Sequence, residues 1–374
     1  MTGNRLRNLL VAAAVLTTAM LTTSCAPPPP APRLVTPAGA VERTDGLVID
    51  GERIADRAAY ESAQAEGRLT LYSGYSALPE DAVTAAFTED TGIPVDLVRL
   101  SSNRLYERIS AEKPAGRLGA DVVRISDPGF VDGLSQQGVF RPYTPPTADH
   151  LRADVRFDGG RYYRTFNPIY TFGYNTLVVE PGTEPRSWHD LTDPRWAGSL
   201  GIAQAGAGGS ALALTRFQRE RLGDDFLRAY AANDTRIFDA VGAELDGIAR
   251  GEVSVGTVVV SSVNIARAEN APVQFVIPAD GLTTYDYYTG VAADAPHRAA
   301  AELFMNWTMS IRGQNVFSQI GEYPVRTDVP TPVVLGTPLP DPDSPLVFRA
   351  STTAARENAA DDLAFWNAQF GYNE

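Results

Sequence analysis

Cysteine, lysine and histidine are nearly absent from this chain. Its 374 residues hold one cysteine and three histidines, too few for a disulfide framework, a cysteine-rich zinc site or an iron–sulfur cluster, so only a mixed-ligand metal site stays open. Lys113 is the single lysine. A lysine-based P-loop is thereby excluded, and arginine, backbone N–H groups or hydroxyls must hold any phosphate or carboxylate. Positive charge is short overall: 32 Lys+Arg face 45 Asp+Glu, a net charge of −13 at pH 7. Such a balance repels nucleic acid and anionic membrane surfaces, and no nucleic-acid partner is expected. Long apolar runs are scarce too. The run from Leu9 to Leu21 falls short of the ~20 residues a spanning helix needs, and no later stretch is long and uncharged enough.

What is present is globular: apolar residues make up 44% and charged residues 21%, and the length suits two domains, each with its own core. Residues 1–24 carry Arg5 and Arg7, the apolar run and small residues ending at Ser24, the pattern of a secretory signal. Leu21-Thr22-Thr23-Ser24-Cys25 resembles the bacterial lipobox, with Thr22 where an aliphatic residue is usual. That resemblance implies a lipid on Cys25 and an extracytoplasmic protein held to the cell membrane by that anchor only. The alternative is a plain secretory peptide with an incidental cysteine. Residues 25–50 read as a Pro-rich stalk, since Pro27 to Pro30 favour extended polyproline II and cannot build a core.

From Arg68 the chain alternates strand and helix. LTLYSGY, IPVDLVRL and ADVVRIS read as strands of a mostly parallel sheet with helices between them. TFNPIYTFGYNTLVV reads as one long strand that carries the chain into a second lobe. There Ser199 to Ala203, RIFD and VSVGTVVVSS are strands among helices, and TTYDYYTGVAAD is the strand that returns. The expected fold is α/β with two lobes and two crossover strands at a hinge. Residues 51–165 form the first part of lobe 1 and residues 166–284 form lobe 2. Residues 285–374 return to lobe 1 and end in C-terminal helices.

LTLYSGY, ADVVRIS, WHDLTDPRWAGSLGIA and GEYPVRTDV together resemble an extracellular solute-binding protein of a bacterial ABC importer, in the branch of ferric-ion, polyamine, thiamine and phosphonate binders. The resemblance implies a type II periplasmic-binding-protein-like fold. A small solute is held between lobes that close over it, and permease and ATPase subunits are the partners. It implies no catalysis, no cofactor and no resident metal, and a monomer.

Ligands of open α/β sheets lie outside the carboxyl ends of the strands. Ser73, Tyr75 and Ser76 follow the first strand, Ser102 the second and Ser126 with Asp127 the third. From the other lobe come Gly208, Gly209 and Ser210, in a glycine-rich turn that opens a helix, and Ser261 and Ser262 at a strand end. Each serine taken singly is better explained by helix capping or a turn than by ligand contact. Their joint placement, and a helix start where backbone N–H groups favour negative charge, point to an oxyanion such as a phosphonate or phosphate ester. Tyr75 could stack on the organic part, and Arg124 either faces the cleft or pairs on the surface. In ferric-binding relatives the resemblance would place a tyrosine pair on Ser261 and Ser262. Neutral hydroxyls are weak ligands for a hard cation, so most of that shell is missing. Tyr285, Tyr287 and Tyr288 could bring phenolic oxygens from another direction, core packing being the alternative, and Tyr288 joins the candidate site. Ferric-iron binding and ligand sensing without transport remain the competing readings. A hydrolase is disfavoured, since neither Gly74-Tyr75-Ser76-Ala77 nor Gly209-Ser210-Ala211 completes a nucleophile elbow.

Overall fold

The computed structural model describes residues 34–372, so the signal-like segment, Cys25 and the run of prolines lie outside the described residues. Alternation of strand and helix yields two separate seven-stranded sheets, the two lobes of an α/β fold. In the first sheet the order is Tyr323–Pro324, Tyr162–Asn167, Tyr287–Val291, Val122–Ile125, Leu69–Ser73, Val95–Arg99, with Arg156–Phe157 as the seventh strand, paired off this path to Tyr162–Asn167. In the second it is Arg236–Phe238, Leu200–Ala203, Val255–Val259, Ile169–Asn175, Leu282–Thr284, Val347–Phe348, with Val273–Phe275 as the seventh strand, paired off this path to Ile169–Asn175.

Leu69–Ser73 is parallel to both neighbours, but Tyr287–Val291 runs antiparallel to Val122–Ile125 and to Tyr162–Asn167. The expectation of a mostly parallel sheet fails for a topological reason. A strand that re-enters a sheet from the other lobe arrives at the carboxyl edge of the βαβ strands and must run against them. Ile169–Asn175 does the same in the second sheet, antiparallel to Val255–Val259.

The two crossings lie side by side. Pro168 divides what reads as one long strand, because a proline supplies no N–H to continue a ladder. Tyr162–Asn167 stays in the first sheet and Ile169–Asn175 enters the second. The return passes through Tyr285 and Asp286, between Leu282–Thr284 and Tyr287–Val291. Asn167 Nδ2 donates to Tyr285 O at 2.9 Å and to Asp286 Oδ1 at 2.6 Å, and Thr284 Oγ1 donates to Pro168 O at 2.7 Å. The segments that must flex in a hinge are thus bonded to each other.

Two boundaries need correction. Residues 25–50 do not end as a stalk: Val41–Glu42, Leu47–Ile49 and Glu52–Ala55 form a small antiparallel sheet whose Leu47, Ile49 and Ile54 enter the main core. Asp50-Gly51, with φ of 50° and 84°, makes the left-handed two-residue turn that such hairpins prefer. Nor does the chain stay in lobe 1 after its return. Val347–Phe348 pairs parallel with Leu282–Thr284, and the long helix Thr352–Phe370 packs on the second-lobe helices Gly209–Phe217 and Asp224–Ala232.

The first-lobe core encloses an ion pair. Arg124, fully buried in its strand, pairs with the equally buried Glu80 of helix Ala77–Thr91 and donates to Thr289 Oγ1 at 3.2 Å. Removing either partner would strand a charge in an apolar interior, a loss of ~3–5 kcal/mol.

Candidate functional site

The carboxyl edges of the two sheets face each other, and three tyrosines converge there. Tyr75 follows the first strand, its ring 4.7 Å from Phe166 and 4.9 Å from Tyr287. Its hydroxyl donates to Glu322 and lies 3.5 Å from Ser261 Oγ. Tyr287 donates to Gly74 O at 2.9 Å and is hydrogen-bonded to Ser126, while Tyr285 is hydrogen-bonded to Ser210. Burial pushes Tyr75, Tyr285 and Tyr287 above the ordinary phenol value, so each is a neutral hydroxyl at pH 7. Burial also raises the Glu322 carboxyl to about 7, against the stabilising hydrogen bonds of Ser261 and Tyr75.

The lobes touch at the glycine-rich turn. A Cβ on Gly208, whose φ is +145°, would stand 2.9 Å from Ser102 Cβ; one on Gly209 would stand 2.5 Å from Ser126 O and 2.9 Å from Asp127 Cα. Only a backbone without side chains fits between helix Gly209–Phe217 and the first lobe. Facing it, Ser102 Oγ and Ser126 Oγ are 3.1 Å apart. Beside this contact is a small chamber of about 30 Å³ lined by Ser76, Arg99, Ser102, Ser210, Tyr285 and Tyr287, among others. Ser76, Arg99, Ala240 and Gly242 also line a wider groove of about 660 Å³ that reaches Ser262 and Leu245. Arg99 stands between the two, its Nε donating to Tyr75 O at 2.9 Å.

Of the expected site residues, Tyr75, Ser76, Ser102, Ser126, Gly208, Gly209, Ser210 and Ser261 come together here. Ser262 lines the outer groove, its Oγ buried with no partner among the described residues. The serine pair does not end a strand: Val255–Val259 stops first, and both serines lie in the opening turn of helix Val260–Ala268. Ser73 faces inward, donating to Glu80 and accepting from Tyr75 N at 3.0 Å. Arg124 meets neither cleft nor solvent. Tyr288 points to the other side of its strand from Tyr287, its hydroxyl donating to Asp286 at 3.0 Å and its ring edge-on to Tyr162 and Phe157. Asp127 caps helix Pro128–Gln136 through Gly129 N and Phe130 N. WHDLTDPRW is a brace for the second lobe: Trp188 Nε1 donates to Gly281 O at 2.9 Å, and His189 Nδ1 lies 3.0 Å from Asp280.

Two participants escape the sequence reading: Arg99 ends the second strand and Glu322 opens EYPV. Tyr285 and Tyr287, weighed there only as phenolic donors from another direction or as core packing, stand three and one residues before Tyr288. Arg99 had a visible signal, its place at a strand's carboxyl edge.

Residues 119–344 match the family model described as bacterial extracellular solute-binding protein. The chain belongs to this family of solute-binding proteins. It is 26% identical to iron uptake protein A1 of Synechocystis over 70% of this chain and 77% of the relative. It is also 26% identical to a Salmonella typhimurium protein named for 2-aminoethylphosphonate, over 65% of this chain and 73% of the relative. The structure of the periplasmic binding protein AfuA from Actinobacillus pleuropneumoniae, with fructose-6-phosphate bound, superposes with a TM-score of 0.63 at 20% identity, covering 82% of this chain and 99% of AfuA. The two-lobe architecture is therefore that of the periplasmic binding proteins. Members of this family bind small ligands and work with ABC permease and ATPase components.

Proposed function

We propose that this solute-binding protein captures a small solute bearing an oxyanion, a phosphonate or phosphate ester, in the interlobe cleft and hands it to an ABC importer. The observation that carries the reading is the start of helix Gly209–Phe217 set against Ser102 and Ser126, with glycine at 208 and 209. The first N–H groups of a helix have no intrahelical acceptor and carry the positive end of its dipole. Neutral hydroxyls of Ser210, Tyr285 and Tyr287 and the Arg99 guanidinium surround the same space, a donor-rich set suited to an anion. The groove beyond Arg99 has room for an organic part. The chain has no catalytic role in this reading and works as a monomer, tethered through a lipid on Cys25 and the prolines after it.

Among relatives, the names include both iron and phosphonate. The tyrosines weigh against ferric ion: burial already disfavours their ionisation, and the hydroxyls are engaged with Glu322, Gly74 and Ser210. A thermal-shift screen of phosphonates, phosphate esters, spermidine and ferric citrate tests this. A true ligand at 100 times its Kd adds ~2.7 kcal/mol of stability. Stabilisation by a phosphonate or phosphate ester supports the proposal. Stabilisation by spermidine alone, or a visible tyrosinate-to-iron band with ferric citrate, overturns it.

A further inference from the structure

The helix Thr352–Phe370 lies beyond the residues matched by the family, 119–344, and it touches both lobes. Its C-terminal half is rooted in the second lobe. Trp366 is fully buried and stacks on Phe370 with centroids 4.4 Å apart. Arg219 Nη1 donates to Asp361 at 2.7 Å and to Asp362 at 2.8 Å, and the Arg219 guanidinium lies 4.3 Å from the centre of the Phe365 ring. The N-terminal end reaches the first lobe. Arg356 pairs with Asp132 on helix Pro128–Gln136, and Thr352 is hydrogen-bonded to Tyr288 of the first sheet. Just ahead of the helix, Arg349 donates to Asp286 at 2.9 Å, in the second crossing, and to Asp154 at 3.2 Å, in the first lobe.

We propose that this terminal helix is a strap that ties the closed lobes together, so that the cleft opens only when its charged contacts to the first lobe release. The asymmetry of its two ends decides which lets go. The root is held by buried aromatic packing, whereas Asp154 and Arg356 are half exposed, and exposed ion pairs are weak and screened by salt. A hinge already bonded across its two crossings gains a third tether, whose Thr352, Ala355 and Asp362 share a pocket with Ser126, Gly209 and Tyr285. This inference is independent of the solute, and its test needs none.

Spin labels on Glu107→Cys in the first lobe and Asp225→Cys in the second, in the full chain with Cys25→Ser, report lobe separation by electron–electron double resonance without ligand. Arg349→Gln with Arg356→Gln is expected to raise the longer-distance population at least threefold, and 1 M NaCl to do the same in the unsubstituted chain. Asp132→Asn approaches the same contact from the other lobe and should shift the distribution in the same direction. Arg236→Gln breaks a pair with Glu252 inside the second lobe and should leave it unchanged. Identical distributions across all variants, or an equal shift from Arg236→Gln, would overturn the strap.

Discussion

Glu322 shows what a single buried acid costs and offers. Its carboxyl titrates near 7 because burial penalises the charge more than the Tyr75 and Ser261 hydrogen bonds favour it, whereas an exposed glutamate titrates near 4.3. Between these values the folded chain holds a proton that the unfolded chain has lost, so stability falls as pH rises. The contribution is complete below about pH 4.3 and is lost as pH passes through 7, on the order of 3 kcal/mol in all. Glu322→Gln cannot ionise and keeps a carbonyl that accepts from Tyr75. Its Tm relative to the parent is therefore expected to rise between pH 5 and pH 8, and parallel curves across that range in scanning fluorimetry would refute the assignment. Ser262 poses the opposite question. Its hydroxyl is buried without a partner among the described residues, so Ser262→Ala is expected to leave the free protein as stable or slightly more so while weakening a ligand whose organic part reaches that wall by ~0.5–1.5 kcal/mol. Calorimetry and a urea titration separate the two effects.

At the scale of the element, the strand Tyr287–Val291 shows how close a sequence reading can come and still miss. Successive side chains of a strand face opposite sides, so a displacement of one residue exchanges cleft for core. A run of Tyr285-Asp286-Tyr287-Tyr288 announces aromatic hydroxyls at the hinge without saying which face each takes, and the pairing with the neighbouring strand skips a residue there, Tyr287 opposing Phe166 and Tyr288 opposing Arg164. Tyr287→Phe is expected to weaken ligand binding by up to about tenfold, the worth of one neutral hydrogen bond. Tyr288→Phe should leave affinity within twofold and lower unfolding stability by about 1 kcal/mol, through the donor that Asp286 loses. Equal affinity losses would contradict this facing of the strand. The same limit explains Arg124 and Ser73. Both stand at strand positions beside the site, but their inward orientation depends on Glu80, a residue of a different element. The first-lobe strand ends that carry Tyr75, Ser102 and Ser126 were legible because their signals are local, whereas Pro168 inside an alternating run and Asp50-Gly51 beside a Pro-rich stretch went unread; the partners of Glu322 and the place of the terminal helix depend on contacts 200 residues or so away in sequence.

For the whole molecule, two questions follow: where it is held, and how it closes. If Cys25 carries the lipid, Cys25→Ala should move the protein from the membrane fraction to the medium, since no helix among the described residues is long and apolar enough to span a bilayer. Undiminished membrane association would sink the anchor. Closure turns on Gly209. Ligand contacts drawn from both lobes are complete only when the lobes meet, so binding must shift the hinge equilibrium toward the closed state. In that state the helix start lies so near the first lobe that any Cβ at 209 would press on Ser126 O at 2.5 Å, and backbone cannot swing aside as a flexible side chain can. Gly209→Val should therefore keep each lobe folded and hold them apart, with or without solute. Ser102→Ala, by contrast, removes one hydroxyl from a surface that still closes, and should cost ~0.5–1.5 kcal/mol of binding. Small-angle scattering with and without a stabilising solute tests the difference: the parent and Ser102→Ala contract on binding, while Gly209→Val keeps the larger radius and shows no calorimetric heat. Normal contraction and full-strength binding by Gly209→Val would move the lobe contact, and with it the anion, away from the helix start.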